Sequence, residues 1–272
     1  MSPPRSLTLS GTALHAGTPC EVRFVRCEAS SPIRLCVGEV VAAREQLVVV
    51  RNDRGVMVRL GEHPGAPTVD LVEHLFAALG GLGIVSGLRV EITGGEVPLL
   101  DGGAAELVRA LAMFELPSSD ARVRVLRPFE WIEGETRYSM DPAERPSLEV
   151  LVDFAHPEIG KQACAFAFEP RDFVERIAPA RTFGFARDWP TLLAQGRARG
   201  VDPRSVRVFE DVDPSSVEAS VTDEPARHKL LDFLGDCALL GGPFHGALRA
   251  SRPGHRATHA FLSAAWEAGA LG

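Results

Sequence analysis

The 272-residue sequence predicts an α+β fold made of two similar halves. Short stretches alternate apolar with polar residues, as in residues 20–25, which indicates half-buried antiparallel strands. Other stretches place apolar residues three and four apart, which indicates amphipathic helices. Strands followed by helices occur twice in the same order. We therefore expect two similar domains, residues 1–119 and 120–272, each a mostly antiparallel sheet with helices on one face. The helices of both would lie sandwiched between the sheets, with the active site at the interface.

The individual elements follow from changes in these patterns. A polar break at residues 117–120 predicts the domain boundary near residue 119. Strands are expected within residues 6–50 and over 88–92, 122–129, 148–154, 164–168 and 245–250. Helices are expected over 69–79 with Thr68 as the cap, 104–114, from 171, about 225–240 and 259–268.

Composition and charge exclude several classes of protein. Hydrophobic residues make up 45% and charged residues 24% of the chain, which is a globular composition, so disorder and fibre are excluded. Lysine plus arginine number 29 against 36 acidic residues, a net charge of -7. Nucleic acid is not an expected partner, because neutralising phosphates needs a basic face.

The first residues and the cysteines bear on location. Residues 1–14 contain two prolines and lack the apolar core of a secretory signal, so we expect a cytoplasmic protein. No apolar stretch approaches the roughly 18 residues that span a bilayer, so no stable membrane insertion is expected. The 5 cysteines form no CxxC pair, which favours free buried thiols over zinc fingers or a disulfide framework. We expect a monomer.

Two predicted helices carry candidate metal ligands. His228 and Asp232 are four residues apart, so they lie on one helix face and can share an ion, and Asp236 continues that face. A histidine four residues before an aspartate is also typical of a simple salt-linked pair. Glu73 and His74 lie in an otherwise apolar helix, where ionisable groups are costly to bury without a partner or a role.

Together the two helices offer two imidazoles and a carboxylate, which suit a zinc ion with an open fourth position. Glu73, next to a ligand, could then serve as general base. Residues 251–255 form a Pro-Gly loop that could hold His255 at a cleft, although by itself the loop favours an ordinary surface histidine. Residues 181–185 could likewise be a loop that simply packs against the core.

Seven stretches give the chain a resemblance to a known family, the zinc-dependent UDP-3-O-acyl-N-acetylglucosamine deacetylases of lipid A biosynthesis. They occur in the family's order and cover the chain nearly end to end. The stretches are 11–17 (GTALHAG), 72–75 (VEHL) with 81–84 (GLGI), 97–102 (VPLLDG), 153–157 (DFAHP), 180–185 (ARTFGF), 227–232 (RHKLLD) with Gly235 and Asp236, and 254–255 (GH).

The resemblance implies a role for each site residue. It implies Zn²⁺ as the cofactor, and its ligands would be His74, His228 and Asp232. Glu73 would take a proton from the attacking water. His255, oriented by Asp236, would stabilise developing charge and protonate the leaving amine, and Thr182 would donate to the oxyanion.

The substrate that the resemblance implies is a UDP-sugar. Lys229 and Arg252 would meet its diphosphate, and Phe154 and Asp188 would lie near its nucleoside. Phe183 completes the expected substrate-binding residues.

Two segments depart from the family's pattern. Residues 196–205 (GRARGVDPRS) carry three arginines where the family is apolar and glycine-rich and forms an acyl tunnel. Charge there would forfeit about 0.8 kcal/mol per buried CH₂, which argues against the usual tunnel. The loop before the first predicted zinc ligand also departs, with VMVRLG at 56–61 and Asp70-Leu71.

Three functions therefore stay open. The first is the standard deacetylase, and the second is a divergent zinc amidase for a sugar nucleotide with a short acyl chain or none. The third is a non-catalytic binding or regulatory relative. Six ionisable groups converging on one cleft favour an enzyme over the third.

Overall fold

The computed structural model describes residues 3–118, 123–212, 222–242 and 244–272. The first half contains β1 (Ser6–Thr12), β2 (Pro19–Arg26), β3 (Arg34–Val37), β4 (Val40–Ala43), β5 (Leu47–Arg51), β6 (Met57–Leu60), β7 (Thr68–Val69), α1 (Glu73–Gly81), β8 (Leu88–Thr93) and α2 (Ala105–Ala112). A 3₁₀ turn, Arg44–Gln46, joins β4 to β5.

The second half contains more short elements. They are β9 (Val123–Arg124), β10 (Phe129–Glu133), β11 (Thr136–Asp141), β12 (Ser147–Phe154), β13 (Gly160–Phe166), α3 (Pro170–Asp172) with a π-helical turn (Phe173–Ile177), β14 (Thr182–Phe185), a 3₁₀ turn (Ala186–Asp188), α4 (Trp189–Ala194), β15 (Val206–Phe209), α5 (Glu224–Leu239), β16 (Phe244–His245), β17 (Ala247–Ser251) and α6 (His255–Glu267).

Two five-stranded sheets have the same strand order, which confirms the predicted α+β fold with a repeated arrangement. The first runs β1-β2-β8-β3-β4 and the second β10-β11-β17-β12-β13. In each, one inner pair is parallel, β3 with β8 and β12 with β17, and the other pairs are antiparallel. The predicted domain boundary near residue 119 lies outside the described residues.

The alternating pattern of residues 20–25 forms a strand as predicted. In β2, Cys20, Val22 and Phe24 are buried while Glu21 and Arg23 point to solvent. The period of two places one face of the strand on the core and the other in water. Each of the five cysteines is free, and four of them are buried, also as predicted.

Helices α1 and α5 pack directly against each other, and α5 also contacts β12 and β13. Glycines allow the close approach of the two helices. A Cβ at Gly235 of α5 would overlap the Glu73 carbonyl oxygen, and a Cβ at Gly80 of α1 would crowd Ala238. All nine residues of α1 are buried, as expected for a helix enclosed on every side. This contact brings the two predicted ligand helices together.

Two predicted helix starts are wrong. The helix expected from residue 69 begins at Glu73, and Thr68 is no cap, because Thr68–Val69 pairs with β6 in a three-stranded sheet. The helix expected from 259 begins at His255, directly after the extended Gly254. In both cases the apolar spacing does not fix the first residue of the helix. Strand pairing decides the start of α1, and the extended backbone of Gly254 decides the start of α6. Among the described residues, no helix is both long and apolar enough to cross a membrane.

Candidate metal and active site

The three predicted metal ligands meet at the contact between α1 and α5. His74 is the second residue of α1, while His228 and Asp232 lie one turn apart on α5. Their candidate ligand atoms all lie within 4.8 Å of one another, and all three residues are buried. The site is therefore assembled from both halves of the chain.

The spacing and chemistry of these atoms fit a divalent cation. Asp232 Oδ1 lies 3.4 Å from His228 Nε2 and 3.7 Å from His74 Nε2. Ligand atoms around a tetrahedral zinc ion, each at about 2.0–2.1 Å from it, are about 3.4 Å apart. The His228 Nδ1 donates to the Ala180 carbonyl at 3.0 Å, so Nε2 carries the lone pair. Burial lowers the pKa of His228 to about 4, which keeps this imidazole neutral and able to coordinate.

Asp232 stays ionised in spite of its environment. Burial alone would raise its pKa, but His228 and Lys229 hold the pKa of this carboxyl well below its usual range. Lys229 donates from Nζ to Asp232 Oδ2 at 2.7 Å. The predicted diphosphate-binding lysine is thus placed beside a metal-ligand candidate.

Glu73 is held at the site by a loop of the first half. The Val56 backbone N–H donates to Glu73 Oε2 at 2.9 Å. Gly55 lies next to the carboxylate, since a Cβ there would be 3.4 Å from Oε1, and its φ of 125° is one that other residues rarely adopt. Burial raises the pKa of Glu73, and His255 and His74 partly oppose that effect. A carboxylate in this environment holds a proton more readily than one in water.

His255 faces Glu73 from the first residue of α6. Its Nδ1 contacts both oxygens of Asp236, at 2.9 and 3.0 Å. Its Nε2 lies 3.9 Å from both Glu73 Oε1 and Asp232 Oδ2. Burial alone would lower the pKa of His255, but the Asp236 carboxylate prevails and raises it to about 9. A protonated imidazole and a carboxylate therefore flank the candidate metal position.

One cavity of about 510 Å³ lies over these groups. The predicted site residues that line it are Glu73, His74, Phe154, Thr182, Phe183, Asp188, His228, Lys229, Asp232, Arg252 and His255. Asp236 does not line the cavity but contacts His255 from behind. Thr182 opens β14, and its N–H donates to the Gly102 carbonyl at 2.7 Å. Every predicted site residue is therefore part of this cavity or of its support.

The 196–205 segment does not line the cavity with charge, contrary to the expectation from its arginines. Its contributions to the wall are Ala198 and Val201, next to Leu192 and Val206. Arg197 turns away to the Asn52–Gly55 loop, and Arg204 pairs with Asp202 at the surface. The backbone of this segment directs apolar side chains toward the cavity and these two arginines away from it. A count of charges along the sequence cannot show this.

Sequence reasoning missed several residues at the site. His15, Asn52 and Arg54 line the cavity without having been assigned a role. His259 lies behind it, with Nε2 3.2 Å from Asp236 Oδ1 and Nδ1 3.2 Å from the Asn52 amide nitrogen. Four residues separate His259 from His255, the same helical spacing that identified His228 and Asp232. Starting the helix four residues too late concealed this signal.

A comparison with protein families decides to which family the chain belongs. The family described as LpxC, UDP-3-O-acyl N-acetylglycosamine deacetylase, matches residues 4–267. The chain belongs to this family.

Individual LpxC relatives agree with this assignment. The chain is 35% identical over 265 residues to UDP-3-O-acyl-N-acetylglucosamine deacetylase of Anaeromyxobacter sp. (strain Fw109-5), covering 95% of this chain and 85% of the relative. It is 34% identical over 258 residues to the protein of the same name from Brucella melitensis biotype 2 (strain ATCC 23457), covering 93% and 90%. The resemblance noted from the sequence is thereby confirmed.

Proposed function

We propose that this protein is a zinc-dependent hydrolase that removes the N-acetyl group from UDP-3-O-acyl-N-acetylglucosamine and releases acetate in lipid A biosynthesis. The single observation that carries the proposal is the meeting of His74, His228 and Asp232 beside Glu73 and His255 in one cavity. Membership of the LpxC family supports the same reaction.

The donor set supports zinc as the metal. Two neutral imidazoles and one carboxylate would hold the ion through His74 Nε2, His228 Nε2 and an Asp232 oxygen and leave a fourth position open. When bound, zinc lowers the pKa of a water molecule and polarises the acetamide carbonyl. The Ala180 carbonyl fixes the His228 ring in the coordinating tautomer.

Glu73 acts as the general base in this proposal. A raised pKa suits a group that must accept a proton from the attacking water and later release it. The Val56 N–H holds Oε2, and Oε1 lies 3.9 Å from His255 Nε2.

His255 acts as the general acid. Asp236 keeps the imidazole protonated, so His255 Nε2 can donate a proton to the departing amine. The Thr182 hydroxyl, on the same cavity wall, would donate to the carbonyl oxygen as that oxygen gains charge.

An aromatic and cationic region of the cavity would receive the nucleotide. The Phe154 and Phe183 rings meet edge to face at 5.4 Å, and Lys229 Nζ lies 5.7 Å from the Phe183 ring centre. Asp188 lies on the same wall, and Arg252 at the rim pairs with Asp153 and Glu135. We assign Lys229 and Arg252 to the diphosphate, and Phe154, Phe183 and Asp188 to the nucleoside and sugar.

The apolar wall favours a substrate that carries an acyl chain. Leu192, Ala198, Val201 and Val206 line the cavity, and burying methylene groups against them is favourable. The short-chain alternative rested on charge in the 196–205 segment, and the arginines of that segment do not line the cavity. All the proposed catalytic groups come from one chain, so a monomer is sufficient for the reaction. We propose that it acts in the cytoplasm.

The experiment that tests the function is an acetate-release assay on zinc-loaded protein. Faster turnover of a long-chain 3-O-acyl substrate than of its short-chain analogue supports the standard deacetylase. Equal rates, or a preference for the short chain, would support the divergent amidase instead. Binding of the substrate without acetate release would support the non-catalytic relative. Size-exclusion chromatography with light scattering tests the monomer.

A further inference from the structure

The 196–205 segment, which departs from the family's pattern, contacts the turn before β6, close to the proposed base. Arg197 extends from the 196–205 segment to the loop that precedes β6. Its Nη2 donates to the carbonyl oxygens of Asp53 at 2.7 Å and Arg54 at 3.0 Å. Its Nη1 lies 3.4 Å from Asp53 Oδ2. Only 12% of the Arg197 side chain is exposed, so these contacts replace most of its hydration.

The contacted loop is held in an unfavourable backbone conformation. Arg54 has φ of 51°, a left-handed conformation that an arginine rarely adopts. Its carbonyl oxygen accepts a hydrogen bond from Arg197, and His15 Nε2 lies 3.0 Å from the same oxygen and 3.3 Å from Arg197 Nη2. Arg197 and His15 together confine the peptide that follows Arg54.

The residues directly after Arg54 position the proposed base. Gly55 lies against the Glu73 carboxylate, and the Val56 N–H donates to Glu73 Oε2. A rotation of the Arg54–Gly55 peptide would move this donor. The Arg197 guanidinium is therefore linked to the Glu73 carboxylate through three consecutive residues.

Arg197 is itself held in place by the first half of the chain. The N–H groups of Arg199 and Gly200 donate to the carbonyls of His15 and Leu14, at 3.3 and 3.0 Å. Gly200 permits this approach, because a Cβ there would overlap the Ala13 carbonyl oxygen. The segment that carries Arg197 is thus attached to the stretch that carries His15.

We propose that Arg197 is a positioning residue that clamps the Asp53–Arg54 turn, so that the Val56 N–H holds the Glu73 carboxylate in its working orientation. The planar fork of the guanidinium reaches the two carbonyls through Nη2 and the Asp53 carboxylate through Nη1, whereas a lysine ammonium is a point donor. The catalytic part of this assignment rests on the proposed function, but the clamp itself does not.

The test compares Arg197→Met with Arg199→Met in the full-length, zinc-loaded protein. Arg199 is exposed and only two residues away, so the control removes the same charge from the same segment. Amide hydrogen exchange is measured by mass spectrometry on the peptide spanning residues 52–58, together with zinc content, kcat and KM. Arg197→Lys is a third variant, which keeps the charge but loses the fork.

We expect Arg197→Met to speed exchange of the 52–58 peptide about tenfold while zinc content stays at the wild-type level. The value of kcat should fall about 10- to 100-fold, the scale of a misplaced catalytic group. Arg197→Lys should give intermediate values, and Arg199→Met should match wild type in both readouts.

Unchanged exchange of this peptide in Arg197→Met overturns the clamp, whatever the enzyme's activity. Faster exchange with wild-type kcat overturns the positioning role alone. If wild-type protein releases no acetate, the proposed function fails, and the exchange data still decide whether Arg197 holds the loop.

Discussion

At the scale of single residues, the proposed reaction depends most on Glu73 acting as a base and not as a metal ligand. Replacing it by alanine removes the proton acceptor but leaves the imidazoles and Asp232 in place. We predict that Glu73→Ala retains bound zinc and lowers kcat about 10²-fold or more, the usual scale for an acid-base group. Metal analysis and steady-state kinetics on the same preparation check this. Wild-type turnover in the variant would remove Glu73 from the mechanism.

Asp236 gives the second residue-scale prediction, a shift in pH dependence. Its carboxylate outweighs burial and raises the pKa of His255 to about 9, so Asp236→Asn must lower that pKa. Because a general acid works only when protonated, the alkaline limb of kcat/KM should move to lower pH. The pH–rate profile measures this, with exposed Asp223→Asn as the control. An unmoved alkaline limb would show that Asp236 does not set the His255 proton affinity.

The sequence could identify only those candidate site residues that lie at a helical spacing or within a motif. His228 and Asp232 were found because a period of four residues places them on one face. The loop that holds Glu73 could not be found in this way, since its working group is the backbone N–H of Val56. Almost any residue can supply a backbone N–H, so no pattern of side chains in the sequence identifies this donor.

At the scale of elements, the close contact of α1 with α5 sets the spacing of the candidate ligands His74, His228 and Asp232. A Cβ at Gly235 would overlap the Glu73 carbonyl oxygen, so Gly235→Ala must push the two helices apart. We predict weaker zinc binding and a free energy of unfolding lower by about 1–3 kcal/mol, as for other overpacked cores. Competition with a chelator and denaturant titration measure the two effects. Gly65→Ala, in an exposed loop, is the control, and equal behaviour of the two variants would contradict this view of the interface.

Helices were predicted better in their centres than at their ends. The predicted 225–240 helix differs from α5 by one residue at each end, because acidic residues, a proline and two glycines mark its limits. The start of α1 was misplaced because Thr68–Val69 joins β6, a partner that lies earlier in the chain. Local periodicity carries no information about such pairing.

At the scale of the whole molecule, the repeated strand order follows from the repeated pattern, but the lining of the cavity does not. Alternation showed which segments are strands, and the two sheets share one order. Which side chains of residues 196–205 face the substrate depends on how that segment crosses the first half. The expectation of a charged wall failed for this reason.

The apolar wall leads to a whole-molecule prediction about substrate preference. Val201→Glu places a carboxylate where the acyl chain would lie, so KM for a long-chain substrate should rise about tenfold or more. KM for the short-chain analogue should change little. Val41→Glu, at a residue that is 50% exposed, is the control. Equal effects on both substrates would place the acyl chain elsewhere.

The zinc content of purified wild-type protein and of His228→Ala tests the proposed metal site without relying on any substrate. We predict about one zinc ion per chain in the wild type and almost none in the variant, since three protein ligands become two. A wild-type protein that binds no zinc, or a variant that keeps a full equivalent, would contradict the assignment of His74, His228 and Asp232 as the metal site.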